Sequence, residues 1–326
     1  NIILIDEYLE NAKEIDVDII RDKNGEIFVA GIMEHIEEAG IHSGDSACSL
    51  PPYSVSKETQ NKIIKWVSKI ANEINVVGLM NTQLAIKDKK IYVLEVNPRA
   101  SRTVPFVAKS KGIPIAKIAA KVMVGENLNS ILNDYKINEL KNFNVKESVF
   151  PFNKFDGVDL ILGPEMKSTG EVMGIDETFL SSYIKSQIAC GNILPSKGTV
   201  FISIDNDNKK FIIEIAQKLK ELDFNLLATK GTAEFLNSNN IKTKIVNKVK
   251  EGNPHVVDSL INNEIQLVIN TTKTQSSIRD SYSIRRTSLM YNIPYYTTIA
   301  GAKVAVDAIE HMKTQEFTIK SLQTIN

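Results

Sequence analysis

The sequence predicts an α+β unit built on an antiparallel sheet with helices, followed by an α/β unit with a five-stranded parallel sheet. Three observations carry this reading. Residues 12–20 alternate as A-K-E-I-D-V-D-I-I, the period of a strand. Residues 81–97 place two apolar-rich runs on either side of the charged turn Lys87-Asp88-Lys89-Lys90, a hairpin signal. From residue 197 onward, short β-branched runs alternate with helical periodicity, the pattern of a parallel sheet covered on both faces.

The chain has 326 residues, 43% hydrophobic and 24% charged, enough for two or three compact domains. Its formal net charge is zero and its pI about 7.1, so nothing in the electrostatics argues for nucleic acid. Cys48 and Cys190 are too few for a disulfide framework and read as small buried hydrophobes in a reducing, cytoplasmic setting. No apolar run approaches the ~20 residues that span a bilayer, and no secretory leader opens the chain. The opening Asn1-Ile2-Ile3-Leu4-Ile5 lacks an initiator Met and reads as the interior of a domain, part of a longer polypeptide.

On strand 12–20, Glu14, Asp16 and Asp18 point one way and Ile15, Val17 and Ile19 the other, which predicts a half-buried strand with an acidic face. A turn at 22–25 leads to a second strand at 27–33. Residues 34–45 then hold two His, four acidic residues and two Gly, and read as a loop that approaches a ligand closely. Residues 57–74 are a helix with Ile63, Val67, Ile70 and Ile74 on one face, and Trp66 and Ile64 read as core. In the hairpin, a three-residue turn at 88–90 sets Gln83 opposite Glu95 and Asn81 opposite Asn97. Carboxylate and amide oxygens suit Mg²⁺ arriving with phosphates. Arg99 and Arg102 follow as phosphate clamps, so the stretch points to phosphoryl transfer. The same pattern also fits an exposed hairpin with a solvated polar face.

Pro105 and Pro114 bracket a short helix, and 115–124 form another that Gly125 ends. Residues 127–145 are Asn-rich and read as surface connection, and 146–194 as short strands around Pro and Gly turns. In 197–326, strands are expected at 199–204, 225–228, 243–246 and 267–270, and helices at 209–222, from 230, 279–291 and 301–312. Ligands in such sheets sit beyond the carboxyl ends of the strands. Thr229, Thr232, Lys248, Asn270, Thr271, Thr272, Thr297 and Thr298 fall there, as a phosphate pocket or simply as helix caps.

The run L-E-V-N-P-R-A-S-R-T-V-P-F resembles the metal-binding hairpin of ATP-grasp ligases. With H-S-G-D-S, P-F-N-K-F and G-P-E-M-K-S-T-G-E-V-M-G it is similar to the second ATP-grasp half of the carbamoyl phosphate synthetase large-subunit family. The segments A-T-K-G-T-A, V-N-K-V, I-N-T-T and Y-Y-T-T resemble that family's methylglyoxal-synthase-like regulatory domain. The resemblance implies a partial ATP-grasp domain over 1–145, a connecting unit over 146–196 and a Rossmann-like regulatory domain over 197–326.

By the same resemblance, Glu14, His35, Glu37, Ile41, His42 and Ser43 lie at or near ATP and a potassium ion, with His42 beside the ribose. Gln83, Glu95 and Asn97 hold Mg²⁺ or Mn²⁺, and Arg99 and Arg102 act on the transferred phosphoryl group. Glu147, with Glu37 and Asp45 facing it, forms an ornithine-type effector pocket that Tyr295 and Thr297 touch. Lys209, Thr229, Thr232, Lys248, Asn270, Ser281 and Thr298 contact a nucleotide monophosphate. Two departures stand out. The fourth strand of the second unit runs into T-T-K-T-Q-S-S rather than an acidic G-D-P-type segment, so synthase chemistry is not expected there. Basic residues are lacking at Gln275 and Ser276, which leaves the nucleotide open. The implied reaction is MgATP plus carbamate to carbamoyl phosphate and ADP, in pyrimidine and arginine biosynthesis. Its partners are a glutaminase small subunit and the rest of the large subunit, with oligomerisation through the C-terminal domain. The lysine and Gly-rich loop of an ATP-grasp site are not found in the sequence, so the chain is expected to supply one wall of the site and to be inactive alone. A non-catalytic sensing module, or an ATP-grasp carboxylate–amine ligase, are the alternatives.

Overall fold

A computed structural model describes every residue except 1, 2, 4, 6, 138, 156, 317, 320 and 322–326. The reading of the opening run rests largely on residues outside that set. The first sheet has seven strands in the order β5-β4-β1-β2-β3-β6-β7: β1 Lys13–Arg21, β2 Ile27–Glu38, β3 Cys48–Leu50, β4 Gly78–Lys87, β5 Lys90–Asn97, β6 Phe143–Val149 and β7 Gly170–Asp176. Every neighbouring pair in it is antiparallel.

β1 lies at the sheet's interior, between β2 and β4. Its isoleucine face, Ile15, Val17 and Ile19, packs on helix α1 (Lys57–Glu73) through Ile63, Val67 and Ala71. The opposite face turns toward α2 (Val104–Lys111) and α3 (Ile115–Met123), where Ile20 joins their core. The predicted half-buried acidic face is therefore corrected. Glu14, Asp16 and Asp18 are all buried, because helices cover the sheet on both sides. β2 also runs farther than expected. Glu34 to Glu38 belong to the strand, and the loop starts only at Ala39. Trp66 is 44% exposed rather than core, since the inner face of α1 is filled by smaller residues.

The hairpin keeps the expected pairing by a different route. Its turn is two residues, Asp88 and Lys89, both with positive φ (50° and 63°). A register shift then inserts Leu94 as an extra residue between the Leu84–Val93 and Gln83–Glu95 pairs. A bulge of this kind bends an edge strand and re-aims its side chains. The stretch read as surface connection contains α4 (Leu128–Leu132), N-capped by the Asn127 side chain, and ends inside β6. The 146–194 stretch adds β6 and β7 to the first sheet and contains a helix the reading did not include, α5 (Phe179–Ala189).

The second sheet is parallel, in the order β10-β9-β8-β11-β12: β8 Thr199–Ser203, β9 Asn225–Ala228, β10 Lys244–Ile245, β11 Leu267–Asn270 and β12 Tyr295–Tyr296. Helices α6 (Lys209–Glu221), α7 (Lys230–Ser238) and α11 (Ile299–Thr314) cover one face. Helix α8 (Val256–Ile261) covers the other. The expected helix at 279–291 is two, α9 (Gln275–Asp280) and α10 (Tyr282–Met290), of which α10 packs beside α8. One apolar core runs from Ile36, Val145 and Tyr183 of the first part into Val200, Ile202 and Ala302 of the second. Among the described residues, no helix is long and apolar enough to cross a membrane.

Candidate functional site

Directly paired residues of a sheet present their side chains on the same face. The register of β1, β4 and β5 therefore lines up Asp16, Gln83 and Glu95 in one row, and Asp18, Asn81 and Asn97 in the next. Gln83, Glu95 and Asn97 come together as the hairpin reading requires. Asp16 and Asp18 are the additions, and the alternation E-I-D-V-D was the available signal. Asn81 Nδ2 donates to Asp16 Oδ1 at 2.9 Å and to Asp18 Oδ1 at 3.0 Å. Asn97 Nδ2 donates to Glu95 Oε1 at 2.7 Å. The rows grade from buried on β1 to exposed at Glu95, so the polar face opens toward solvent at the hairpin. Arg99 and Arg102 are exposed beyond it, Arg99 Nη1 donating to the Ala100 carbonyl.

His35 reaches the same face from β2. Its Nε2 lies 2.8 Å from Asp16 Oδ2, and its Nδ1 stands 3.8 Å from Glu14 Oε1, buried without a hydrogen-bond partner among the described residues. Glu14, Asp16 and His35 each offer a ligand atom, all within 4.8 Å of one another, a set that could hold a cation. Burial pushes the Glu14 carboxyl up, and His35 only partly opposes it. Burial pushes the His35 imidazolium down, but the bond to Asp16 and the Glu14 charge outweigh it and hold its pKa above the ordinary value. Burial lifts Asp18 to about 6 against the hydrogen bonds it accepts. The loop residues take no part in this cluster. His42 N–H donates to the Gly163 carbonyl at 2.8 Å, His42 Nδ1 accepts from Gly44, and the Ser43 carbonyl accepts from Lys146 Nζ at 3.0 Å. Ile41 lines a separate cleft with Tyr8 and Thr272.

A cavity of ≈ 270 Å³ lies between the two parts, walled by Glu37, Glu147, Tyr183, Gln187, Tyr295 and Thr297. Glu147 accepts from Gln187 Nε2 at 2.5 Å, and Glu37 from the Ala47 N–H at 2.7 Å. Burial, then the nearby Glu37 charge, lifts Glu147 to about 8. Burial raises Glu37 likewise. Two half-buried carboxyls beside tyrosine rings suit an ammonium group. Asp45 is not on this wall, which corrects its expected place. It is buried and accepts the Lys167 and Ser168 amides at 2.7 and 2.9 Å, holding that loop.

A cavity of ≈ 540 Å³ opens beyond the carboxyl ends of β8, β9 and β11, and its lining includes Lys209, Thr229, Thr232, Lys248 and Ser281. Asn270 is not among its lining residues. It is buried at the end of β11, and its Nδ2 donates to the Ser203 carbonyl at 3.3 Å. Thr298 departs from expectation too: it N-caps α11 through the Gly301 amide and lines the Glu147 cavity. Sequence reasoning left out Lys273 on the rim, which bridges Glu10 at 2.8 Å and Asp207 at 2.7 Å.

Residues 1–131 match the family model described as "Carbamoyl-phosphate synthase L chain, ATP binding domain", and residues 211–297 match the "MGS-like domain" model. The carbamoyl phosphate synthase large chain of Myxococcus xanthus is 50% identical over 321 residues, covering 98% of this chain and 30% of that protein. That of Archaeoglobus fulgidus is 51% identical over 322 residues, with 98% and 30% covered. That of Rhizobium meliloti is 52% identical over 328 residues, with 99% and 28% covered. The chain thus spans less than a third of the length of these relatives. A solved biotin carboxylase subunit of pyruvate carboxylase overlaps 56% of this chain and 46% of its own at 17% identity, with a TM-score of 0.44.

Proposed function

Because the chain belongs to the carbamoyl phosphate synthase large-chain family, with its ATP-binding and MGS-like domains, we propose that within the intact enzyme it forms one wall of the site where ATP phosphorylates carbamate. The observation that carries this reading is the pair of oxygen rows across β1, β4 and β5, open at Glu95 and followed by two exposed arginines. Gln83, Glu95 and Asn97 would hold Mg²⁺ or Mn²⁺, and bound metal would neutralise phosphate charge as transfer proceeds. Arg99 and Arg102 would orient the transferred phosphoryl group and balance the charge that builds on it. Glu14 and His35, with Asp16, would hold a potassium ion; the orphaned His35 Nδ1 supports a ligand there. Ile41, His42 and Ser43 would flank the nucleotide.

The Glu37–Glu147 cavity would take an ornithine-type amine and the 540 Å³ cavity a nucleotide monophosphate, both as effectors. The glutaminase small subunit and the remainder of the large subunit would complete the enzyme, in the cytoplasm, with oligomer contacts through the second sheet's domain. The test is Glu95→Gln in the intact enzyme. Carbamoyl phosphate formation should fall at least ~100-fold while the protein stays folded, since loss of one ligand unseats the metal. Near-normal turnover removes the metal role. A second reading, a ligand-sensing module, draws on the two cavities. Calorimetry with a nucleotide monophosphate against ATP separates them, binding of the monophosphate alone favouring the module.

A further inference from the structure

We infer that Asp18 is a positioning residue that fixes the arginine-bearing segment 97–104 against the sheet and so aims Arg102 outward from the polar face. This rests on the reading of Arg102 as a phosphate-binding group. Asp18 is 1% exposed, yet among the described residues no Lys or Arg donates to it and its bonds come from neutral side chains. Oδ1 accepts from Asn81 Nδ2 at 3.0 Å and from Ser101 Oγ at 2.8 Å, and Oδ2 accepts from Thr103 Oγ1 at 2.6 Å. One buried carboxylate therefore ties the polar row of β4 to the segment that leaves β5.

The two hydroxyls flank Arg102. With Ser101 and Thr103 held inward on one carboxylate, the residue between them must face away, and Arg102 is exposed. Thr103 sharpens the point. It occupies the N-cap of α2, where a threonine oxygen ordinarily accepts a helix amide, but it makes no capping bond. Its proton goes to Asp18 instead. The segment is thus anchored by a long-range bond to a residue 85 positions earlier rather than by a local helix cap. Charge-assisted bonds are the stronger kind, and a buried ion satisfied only by hydroxyls and an amide depends on all of them keeping their geometry. Misplacement by ~1 Å of a group that acts on the transition state costs on the order of 100-fold in rate.

The test uses the intact enzyme with Asp18→Asn, and with Ser101→Ala/Thr103→Val, which removes the same bonds from the other side and covers the case in which Asp18→Asn fails to fold. Hydrogen exchange should quicken across 97–104 while the amides of β1 and β4 keep their protection. In carbamoyl phosphate formation, kcat should fall ~10- to 100-fold with KM for ATP nearly unchanged. In an Arg102→Ala background, Asp18→Asn should cost nothing further, because the group it aims is gone. Unchanged exchange across 97–104, or full additivity of the two substitutions, overturns the inference. If Arg102→Ala alone leaves kcat intact, the phosphate role of Arg102 fails, and the exchange measurement by itself decides whether Asp18 fixes the segment.

Discussion

Removing the carboxylate of Asp159 should destabilise the second half of the molecule by about 3 kcal/mol. Arg285, on α10, has no solvent exposure, and its guanidinium meets Asp159 in a two-bond fork, Nε to Oδ1 at 2.7 Å and Nη2 to Oδ2 at 2.5 Å. Among the described residues its remaining bond goes to the Ile278 carbonyl at 2.8 Å, and Nη1 has no partner. Asp159→Ala leaves a buried cation with one neutral acceptor. Breaking a buried pair from one side costs about 3–5 kcal/mol, and the lower figure applies because the Asp159 side chain keeps 28% of its exposure. Urea unfolding followed by circular dichroism should show the midpoint falling by about 1 M. Replacing both partners, Asp159→Leu with Arg285→Met, should recover most of the loss, since an apolar pair needs no counter-charge. The pH dependence has a definite sign. Burial alone would raise the Asp159 carboxyl, but the Arg285 bond and charge win and hold it below its usual range. Stability from the pair is therefore present above pH ~4 and is lost as pH falls through the depressed folded value. A loss below ~1 kcal/mol, the range of an exposed pair, with no change in acid sensitivity, would refute the buried-clamp argument.

Two more outcomes follow from the packing and the cavity charges. Gly174 on β7 sits where a Cβ would lie 2.0 Å from the Ser182 carbonyl oxygen and 2.5 Å from the Ser186 nitrogen of α5. Gly174→Ala should cost at least ~1–3 kcal/mol by overpacking, read as a lower thermal midpoint; an unshifted midpoint would mean α5 can move away freely. Glu147, lifted to about 8 chiefly by burial, stabilises the unliganded fold below pH ~4.5, and that contribution is lost as pH rises through 8. A diamino acid that holds the ionised form should bind more tightly as pH rises from 6 to 9, releasing a proton in calorimetry. Glu147→Gln should flatten that profile, and an unaltered profile would place the amine elsewhere.

Much of this was legible in the residues themselves. Alternation in K-E-I-D-V-D-I-I and the K-D-K-K turn specify local geometry, which depends on neighbours a few residues away. The same holds for the β/α rhythm after residue 197 and for the L-E-V-N-P-R run, so the hairpin and the parallel sheet could be read directly, whereas the two-residue turn and the Leu94 bulge that together set the hairpin's pairing could not. Helix α5 could not. Its F-L-S-S-Y-I-K-S-Q-I-A carries apolar residues around much of its circumference, because it is wedged between β7 and α11 and has no single solvent face. Whether Asp16 and Asp18 face water or core depended on α2 and α3, contributed by residues 104–123, closing over them. Glu37 and Glu147 stand 110 positions apart, and only the adjacency of the two sheets makes them one cavity with Tyr295 and Thr297. Periodicity fixes what each segment can become, since it is a property of the backbone within one element. Burial, and with it every perturbed charge in the sites, is set by which distant segment excludes the water.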